Sequence, residues 1–312
     1  MNFEETQSSE GPDLQIRRRN GFIAFIFALL FPGLGQIYNG QLKKAIVFFV
    51  LVLIFPISYG LLRTETSFYE LLILIIVQLF IQFSVIVDAV IQARRQKEFI
   101  PKKYNTWYFY LLIAFSITTV IWFIDFKSIL GIQSVHIPTS SNEPTVMIGD
   151  NIIVDTKIYN HKNPEYCDLV VFKQLDGYTY NFRVIGKPND RIRIKNNFLI
   201  INDIPCKYRF IEKTRANDFP IFGAINLKFE EEFPDGKKHN IYKLEAFYDS
   251  TMTNFENIVV PSDSYFLLGD NRDNAADSRY FGFVRRDAIV GQMIFTLWGK
   301  SNNRINVDFR KN

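Results

Sequence analysis

Apolar residues are distributed very unevenly along this chain. Residues 20–125 consist mainly of four apolar segments, whereas residues 126–312 mix apolar and polar positions as a soluble domain does. The last three segments approach the ~20 residues that a helix needs to cross the hydrocarbon core of a bilayer. The first is interrupted by the run Pro32-Gly33-Leu34-Gly35, and proline breaks a helix. The four segments cover residues 21–38, 45–62, 71–91 and 107–124.

Basic residues flank these segments unevenly and set the expected orientation. The loop between the third and fourth segments carries five basic residues, which favours a cytoplasmic position. The fourth segment then leads outwards, so the soluble part is expected on the outer face of the membrane. Because Arg17-Arg18-Arg19 is also expected inside, the first segment should re-enter or lie in the interface. The predicted organisation is a polar cytoplasmic tail (1–19), a membrane region with three spanning helices and one re-entrant or fourth segment (20–125), and an outer domain (126–312).

The outer part of the chain has the pattern of a β protein. Short β-branched and aromatic runs are separated by polar, proline-containing loops, and helical periodicity is scarce. The stretch 206–257 is richer in Lys, Glu and aromatic residues and is predicted to be a β-rich insertion or cap. The expected fold class is therefore an α-helical transmembrane region followed by a mostly β extracytoplasmic domain. Strands are predicted near residues 152–155, 169–172, 180–185, 191–194, 198–201, 264–268 and 289–298.

Charge and cysteine content restrict the possible partners. The net charge is only +4, and no basic stripe is interleaved with aromatic residues, so nucleic acid is not an expected partner. The two cysteines, Cys167 and Cys206, permit one disulfide outside the cytoplasm, and free thiols are equally compatible with the sequence. Their spacing does not suit a metal site, and neither a metal nor a cofactor is expected.

A tight turn is predicted where the chain leaves the membrane region. The run Pro138-Thr139-Ser140-Ser141-Asn142-Glu143-Pro144-Thr145-Val146 has a proline near each end and small hydroxyl residues between them. Such a turn can present a serine Oγ and can direct backbone N–H groups at a developing oxyanion. Taken by itself, the run is better explained as a plain Ser/Thr-rich surface loop.

A longer run near the end of the chain indicates what the Ser141 turn could do. Residues 265–284 read YFLLGDNRDNAADSRYFGFV, and they follow, in order, the Ser141 turn, Gly149-Asp150, the run 168–172 and the run 183–190. In this order and spacing the motifs resemble those of bacterial type I signal peptidases over residues 134–298. The resemblance implies a serine endopeptidase of the bacterial cytoplasmic membrane that removes signal peptides from exported proteins at the outer surface of the bilayer. A second, shorter resemblance links residues 32–40 to the paired-helix module of TM2-type membrane proteins.

The resemblance also assigns roles to individual positions, and two of them are changed in this chain. It implies that Ser141 is the nucleophile and that Thr139 contributes a hydroxyl to the oxyanion hole. The general-base lysine of the family corresponds to Phe182, and the serine that hydrogen-bonds this lysine corresponds to Ala275. Because a phenyl ring cannot accept a proton, the Ser/Lys dyad is absent. Beside the nucleophile, Ser140 and Asn142 stand where glycine and methionine are usual.

These changes favour an inactive or impaired enzyme over an active one. A serine without a base has little nucleophilicity, and Phe with Ala simply makes the pocket apolar. The alternative bases are Lys173, Lys187, Lys195, His136, His161 and His239, although a solvated or packing role is expected for each. Four charged residues are expected to form a buried ion network that shapes the site, namely Arg183, Asp270, Asp277 and Arg279.

Three functions remain open at this point. The chain could be a signal peptidase with a relocated base. It could be a membrane-anchored protein that binds signal peptides, or other extended chains of exported proteins, without cutting them. It could also have a structural role in which the outer domain serves as an interaction surface. The expected partners are in each case extended peptides or the lipid bilayer.

Overall fold

The computed structural model describes residues 18–63, 66–216, 223–246 and 253–311. Within these ranges the chain divides into two compact units. The first unit comprises the described residues up to Arg63 together with Tyr69–Leu130, and the second comprises residues 66–68 together with residue 131 onwards. The first unit is helical and the second is mostly β.

Six helices occupy the first unit and its junction with the second. Two of them, α3 and α4, are long and apolar enough to cross a membrane. The other apolar helices are shorter, with 10 residues in α1 and 17 in α5, and 17 is the lower limit for a span. The bounds are α1 Gly21–Leu30, α2 Leu34–Tyr38, α3 Leu42–Leu62, α4 Phe68–Arg95, α5 Trp107–Phe123 and α6 Phe126–Leu130.

The first apolar segment folds back on itself. The chain leaves α1 and turns at Gly33, whose φ of +90° is accessible to glycine at little cost. Helix α2 then packs against α1 so closely that a Cβ on Gly35 would lie 2.7 Å from the carbonyl oxygen of Ala24. The two ends of the segment meet, since the backbone N–H of Asn20 donates to the hydroxyl of Tyr38 at 3.1 Å. The segment is thus a helical hairpin with both ends on the same side.

Polar side chains satisfy the backbone at the end of this hairpin. Asn105 donates to the carbonyl oxygen of Ile37 at 2.7 Å, and the Tyr104 hydroxyl donates to that of Gly40 at 2.7 Å. Such partners are needed because the last carbonyl groups of a helix have no acceptor role within the helix itself.

The second unit is built on antiparallel sheets, which confirms the mostly β class expected for the outer domain. Its largest sheet has seven strands in the order β1-β2-β14-β3-β4-β12-β13. The strands of this sheet, with helix α7, are β1 Ile132–His136, β2 Asn151–Asp155, β3 Leu169–Lys173, β4 Thr179–Gly186, β12 Ser264–Leu268, α7 Ser278–Phe281, β13 Val284–Arg285 and β14 Ile289–Trp298.

Two smaller sheets complete the unit. A four-stranded sheet has the order β11-β5-β6-β7, and a three-stranded sheet, called the cap here, has the order β10-β9-β8. The cap lies inside the stretch that the sequence indicated as an insertion, of which residues 217–222 and 247–252 are outside the described residues. The strands are β5 Arg191–Lys195, β6 Phe198–Ile201, β7 Ile204–Pro205, β8 Lys207–Arg215, β9 Ile225–Glu232, β10 Lys238–Leu244 and β11 Phe255–Val259.

Backbone hydrogen bonds join the cap to the end of β12. The N–H of Tyr242 donates to the carbonyl oxygen of Asp270 at 2.8 Å, and the N–H of Arg272 donates to that of Tyr242 at 2.9 Å. The last cap strand therefore lies along the GDNRDN run, on which the candidate site depends.

Candidate functional site around Ser141

Ser141 lies in a well-braced turn between β1 and β2. Within the turn, Glu143 N–H donates to the Ser140 carbonyl and Val146 N–H to the Asn142 carbonyl, both at 2.9 Å. The Glu143–Pro144 peptide bond is cis. From outside the turn, the N–H of Asn271 donates to the carbonyl oxygen of Ser141 at 3.1 Å. The serine is thereby fixed against the GDNRDN run while its side chain stays partly exposed.

Two hydrogen-bond donors are available beside the Ser141 hydroxyl. The Thr139 Oγ1 lies 3.5 Å from Ser141 Oγ and is exposed. Among the described residues, no protein group accepts a hydrogen bond from the Ser141 backbone N–H. A hydroxyl and an amide in this relation can stabilise an oxyanion, which is the role that the resemblance implied for Thr139.

Phe182 occupies an aromatic cluster under this turn. Its side chain is 3% exposed, and its ring centroid lies 6.1 Å from that of Phe172 and 6.2 Å from that of Phe281. Ala275 belongs to the same buried apolar cluster and is 7% exposed. The two positions that the resemblance assigns to a lysine and its hydroxyl partner therefore lie in one buried apolar cluster.

Gly269 shows how closely these residues meet. A Cβ built on this glycine would lie 2.4 Å from the Ala275 Cβ, 2.5 Å from the Ser141 carbonyl oxygen and 3.3 Å from the Phe182 Cε1. Only a residue without a side chain fits at the junction of the three. The structure therefore brings Ser141, Phe182 and Ala275 together, as the aligned motifs required.

Two cavities flank Ser141, and basic side chains line neither of them. One, of about 390 Å³, is lined by Thr139, Ser141 and the first half of β4 through Phe182. The other, of about 600 Å³, is lined by the Ser141 turn, residues 273–276 and Tyr280. Among the described residues, Thr139 Oγ1 is the only side-chain partner of Ser141 Oγ.

Two of the three histidines are exposed, and the third is buried. His136 is exposed, with its Nδ1 3.3 Å from the Asn151 Oδ1, and His161 is exposed in a loop. His239 is fully buried in the cap, where its Nε2 lies 3.1 Å from the Glu231 Oε2. None of the three forms a hydrogen bond with Ser141 in the described part of the chain.

The four charged residues of the expected ion network form two buried pairs. Arg183 donates from Nε to Asp270 Oδ1 at 2.7 Å and from Nη2 to Oδ2 at 2.6 Å, a bidentate contact. Arg279 forms a similar contact with Asp277, whose Oδ2 also accepts the Gly269 N–H at 3.1 Å. The guanidinium of Arg183 holds the pKa of Asp270 below its usual value against the opposing effect of burial. The first pair thus fixes Asp270, which follows Gly269, and the second pair fixes the N–H of Gly269 itself.

A third buried pair, which sequence reasoning missed, connects the cap to the site. Arg272 donates through both terminal nitrogens to the carboxylate of Glu231 on β9, and Glu231 is fully buried. His239 lies between this pair and the Arg183–Asp270 pair. Its Nε2 is 3.3 Å from the Arg272 Nη2 and 3.8 Å from the Asp270 Oδ1. Burial and the nearby Arg183 lower the pKa of His239, which favours a neutral imidazole.

Both cysteines are free and buried. The Cys167 Sγ lies 3.8 Å from the Nδ1 of His239, which is a thiol–imidazole contact. Burial raises the pKa of Cys167 to about 12, so the sulfur is a protonated thiol at neutral pH and not a nucleophile. No group of three or more His, Cys, Asp or Glu side chains within the described ranges could hold a metal ion.

One lysine of the cap, Lys243, is buried, and no sequence pattern predicted this burial. Lys243 is 6% exposed, and its Nζ lies 4.1 Å from the ring centroid of Phe198 and 4.2 Å from that of Tyr208. Burial lowers its pKa to about 8. Its Nζ donates to the carbonyl oxygen of Asn197, so this amine is held in the cap rather than at Ser141.

The strand that carries Phe182 has a free edge next to the serine. β12 pairs with β4 only from Arg183 onwards, whereas the β4 residues before it pair with β3 alone. The Asn142 Nδ2 donates to the Asn181 carbonyl oxygen at 2.7 Å, which shows that this residue faces the unpaired side. Because facing alternates along a strand, Thr179 faces the same side. An extended chain could pair with this edge along the wall of the smaller cavity.

Comparisons with known proteins agree with the motif order. The family model described as signal peptidase, peptidase S26, matches residues 105–298. The chain is 28% identical over 214 residues to a probable signal peptidase I-2 of Synechocystis sp., covering 66% of this chain and 79% of that protein. It is 29% identical over 202 residues to the signal peptidase I of Buchnera aphidicola subsp. Schizaphis graminum, covering 50% of this chain and 65% of that protein. A crystal structure of a signal peptidase I from Enterococcus faecalis matches 42% of this chain and 97% of that chain, with 25% identity and a TM-score of 0.25.

Proposed function

Because the chain belongs to the signal peptidase family, peptidase S26, we propose that it binds signal peptides of exported proteins and does not cleave them. The observation that carries this proposal is the buried aromatic cluster at Phe182. It fills the position where the family has its general base, and the groove beside Ser141 nevertheless stays open. The site can therefore receive a chain, but the described residues place no base within hydrogen-bond distance of the serine.

The free edge of β4 supports peptide binding. An added strand would form main-chain hydrogen bonds with Thr179, and its side chains would enter the cavity of about 390 Å³ beside Ser141. Main-chain pairing gives affinity for many sequences, and the apolar wall at Phe182 gives a preference for apolar side chains. Signal peptides combine an extended backbone with such side chains.

The lack of hydrolysis follows from the chemistry of the contacts. A serine hydroxyl needs a base within about 2.6–3.2 Å to become a nucleophile. The contacts of Ser141 Oγ within the described residues are limited to the Thr139 hydroxyl at 3.5 Å, and a hydroxyl does not act as a base at neutral pH. The oxyanion donors can still orient the carbonyl group of a bound peptide.

We further propose that the helical unit anchors the chain in the bacterial cytoplasmic membrane with the β unit on the outer face. Two helices long and apolar enough to span, α3 and α4, support the anchoring, and α5, at the lower limit of 17 residues, would be the third crossing that the outer placement requires. The hairpin geometry of residues 20–38 supports a first segment that enters and leaves on one side. With the basic end of α4 in the cytoplasm, the β unit would then meet exported chains as they emerge.

Peptide binding and cleavage can be measured on the full chain in detergent micelles. A fluorescent synthetic signal peptide should bind with saturable anisotropy, and Ser141→Ala should bind within about twofold of the wild type. Thr179→Pro removes an edge N–H and should weaken binding about tenfold, whereas Thr179→Val keeps the N–H and serves as its control. Preprotein cleaved by the wild type but not by Ser141→Ala would contradict the proposal, as would the absence of saturable binding.

A further inference from the structure

The edge of β4 beside Ser141 is partly occupied by a side chain of the protein itself. The Asn142 Nδ2 donates to the backbone carbonyl oxygen of Asn181 at 2.7 Å and also to the Asn181 Oδ1. Because Asn181 faces the unpaired side of β4, its carbonyl group is one that an added strand would otherwise use. Asn142 therefore takes one pairing position of this edge and leaves that of Thr179.

The geometry of this contact sets it in competition with a peptide. Both Asn181 oxygens are acceptors, so the opposite orientation of the Asn142 amide would set oxygen against oxygen. A peptide N–H that paired with the Asn181 carbonyl would place its nitrogen about 2.9 Å from that oxygen. The Asn142 Nδ2 already lies at this distance, and its side chain is only 2% exposed. A bound chain would have to displace it in order to pair there.

The turn holds Asn142 in this place. Its own carbonyl oxygen accepts the Val146 N–H at 2.9 Å, and the carbonyl oxygen of Ser141 accepts the Asn271 N–H at 3.1 Å. The backbone on both sides of the Asn142 side chain is thereby fixed. Moving the amide away from β4 would break its bonds to Asn181 without a replacement.

Stability alone does not explain an asparagine at this position. The Asn142 Oδ1 is buried and has no hydrogen-bond donor among the described residues. A buried acceptor without a donor is unfavourable for folding. The methionine that the resemblance gives as usual here has neither this oxygen nor an N–H. The distinctive effect of Asn142 is thus on the strand edge.

We infer that Asn142 is a specificity-determining residue that limits the main-chain pairing of a bound peptide to Thr179. The inference rests on the proposed function, because it concerns peptide binding at the same edge. With a single residue of β4 available for pairing, affinity depends more on the side chains that enter the cavity of about 390 Å³ than on the length of the extended backbone. Removing the Asn142 amide frees a second point of pairing, two residues from the first.

The test compares backbone esters of one fluorescent synthetic signal peptide on the full chain in detergent micelles. Each ester replaces a single backbone N–H by an oxygen, and fluorescence anisotropy gives the affinity. Asn142→Met should bind the unmodified peptide about tenfold more tightly than the wild type, because one more hydrogen bond forms. Its ester scan should show one sensitive position more than the wild-type scan, with a loss of about tenfold there. Asn142→Ala frees the same carbonyl with a smaller side chain and should show the same additional position.

The matched control is Asn274→Met. The Asn274 Nδ2 donates to the Ser140 Oγ at 2.9 Å, so this substitution removes another side-chain amide that braces the same turn. It leaves the Asn181 carbonyl engaged by Asn142. The sensitive positions should therefore be those of the wild type, and an additional position in this control would show a general loosening of the turn and overturn the inference.

The remaining outcomes separate the inference from the proposed function. The same sensitive positions in the two Asn142 variants as in the wild type would overturn the inference, whatever the affinity, and leave the proposed function standing. Peptide binding by the Asn142 variants but not by the wild type would support the inference and remove the proposed function. Saturable binding by none of these proteins would remove both.

Discussion

Restoring the missing amine is the most direct test of the site. The double variant Phe182→Lys/Ala275→Ser puts a lysine at the base position and a hydroxyl beside it. In the wild type the two side chains lie in one buried cluster with Phe172 and Phe281. The new amine would therefore be surrounded by rings, and the new hydroxyl would be its hydrogen-bond partner. We expect the variant to cleave a preprotein that the wild type leaves intact.

The expected magnitudes follow from burial. Phe182 is 3% exposed, so replacing its buried phenyl ring should lower the free energy of unfolding by about 3 kcal/mol. Desolvation should lower the pKa of the lysine from about 10.4 to about 7, which leaves much of it neutral at pH 8. A positioned base of this kind contributes about 10²–10⁴ to the rate.

The pH dependence of the variant has a definite sign. Between the lowered pKa in the folded state and about 10.4 in the unfolded state, the unfolded chain binds more protons. The free energy of unfolding should therefore rise with pH across this window, and the wild type lacks this contribution. Cleavage should rise over the lower part of the same window, as the folded amine loses its proton.

The gain in cleavage rate is measured with a purified preprotein in micelles, and the products are quantified by gel densitometry. The matched control is Phe182→Met/Ala275→Ser, which has a flexible side chain of similar length without the amine. Adding Ser141→Ala to the active variant should abolish cleavage. If the double variant keeps its folded circular dichroism and cuts no faster than the methionine control, then residue 182 does not face the serine productively.

Three further predictions concern the buried charges and the membrane unit. Asp270→Asn should lower the free energy of unfolding by about 3–5 kcal/mol in urea titrations, because it leaves a guanidinium buried without its partner, whereas the exposed Asp287→Asn should cost less than about 1. A similar loss in both variants would contradict this. Lys243→Met should be more stable than the wild type by about 3 kcal/mol at pH 7, because burial lowers the lysine pKa from 10.5 to about 8. The unfolded chain binds the extra proton between pH 8 and 10.5, so the advantage should vanish by pH 10.5, and a pH-independent difference would refute the assignment. Cysteines introduced as Arg18→Cys and Gln41→Cys should both react with an impermeant maleimide in inverted vesicles and not in intact cells, and labelling on opposite sides would exclude the hairpin.

Five strands of the large sheet were predictable because their apolar residues are buried, in β12 at every position. Alternating or continuous apolar runs marked β2, β3, β4, β12 and β14 within a few residues. The approach of Phe182 and Ala275 to Ser141 was predictable as well, although only through the order of the aligned motifs. No local pattern relates residues 141, 182 and 275, because their meeting depends on the pairing of β4 with β12.

The buried charges of the cap were not predicted, because the stretch 206–257 looks polar throughout. His239 and Lys243 are buried at alternate positions of β10 on either side of Ile241. These buried residues alternate along the strand as expected for one buried face. The alternation did not indicate burial, because two of the three residues are His and Lys rather than apolar residues. The partner Glu231 lies on another strand, and sequence spacing does not encode that pairing. The closure of the first segment into a hairpin likewise depends on the contact between Asn20 and Tyr38.

The bridge between Arg272 and Glu231 makes the cap inseparable from the rest of the β unit. Trimming residues 206–257 to obtain a smaller protein for crystallisation would remove the Glu231 carboxylate that pairs with Arg272, immediately next to the loop that holds Ser141. A shortened chain would therefore need a new partner for Arg272 or a replacement of this arginine. The exposed rim of the cap can be altered without this consequence.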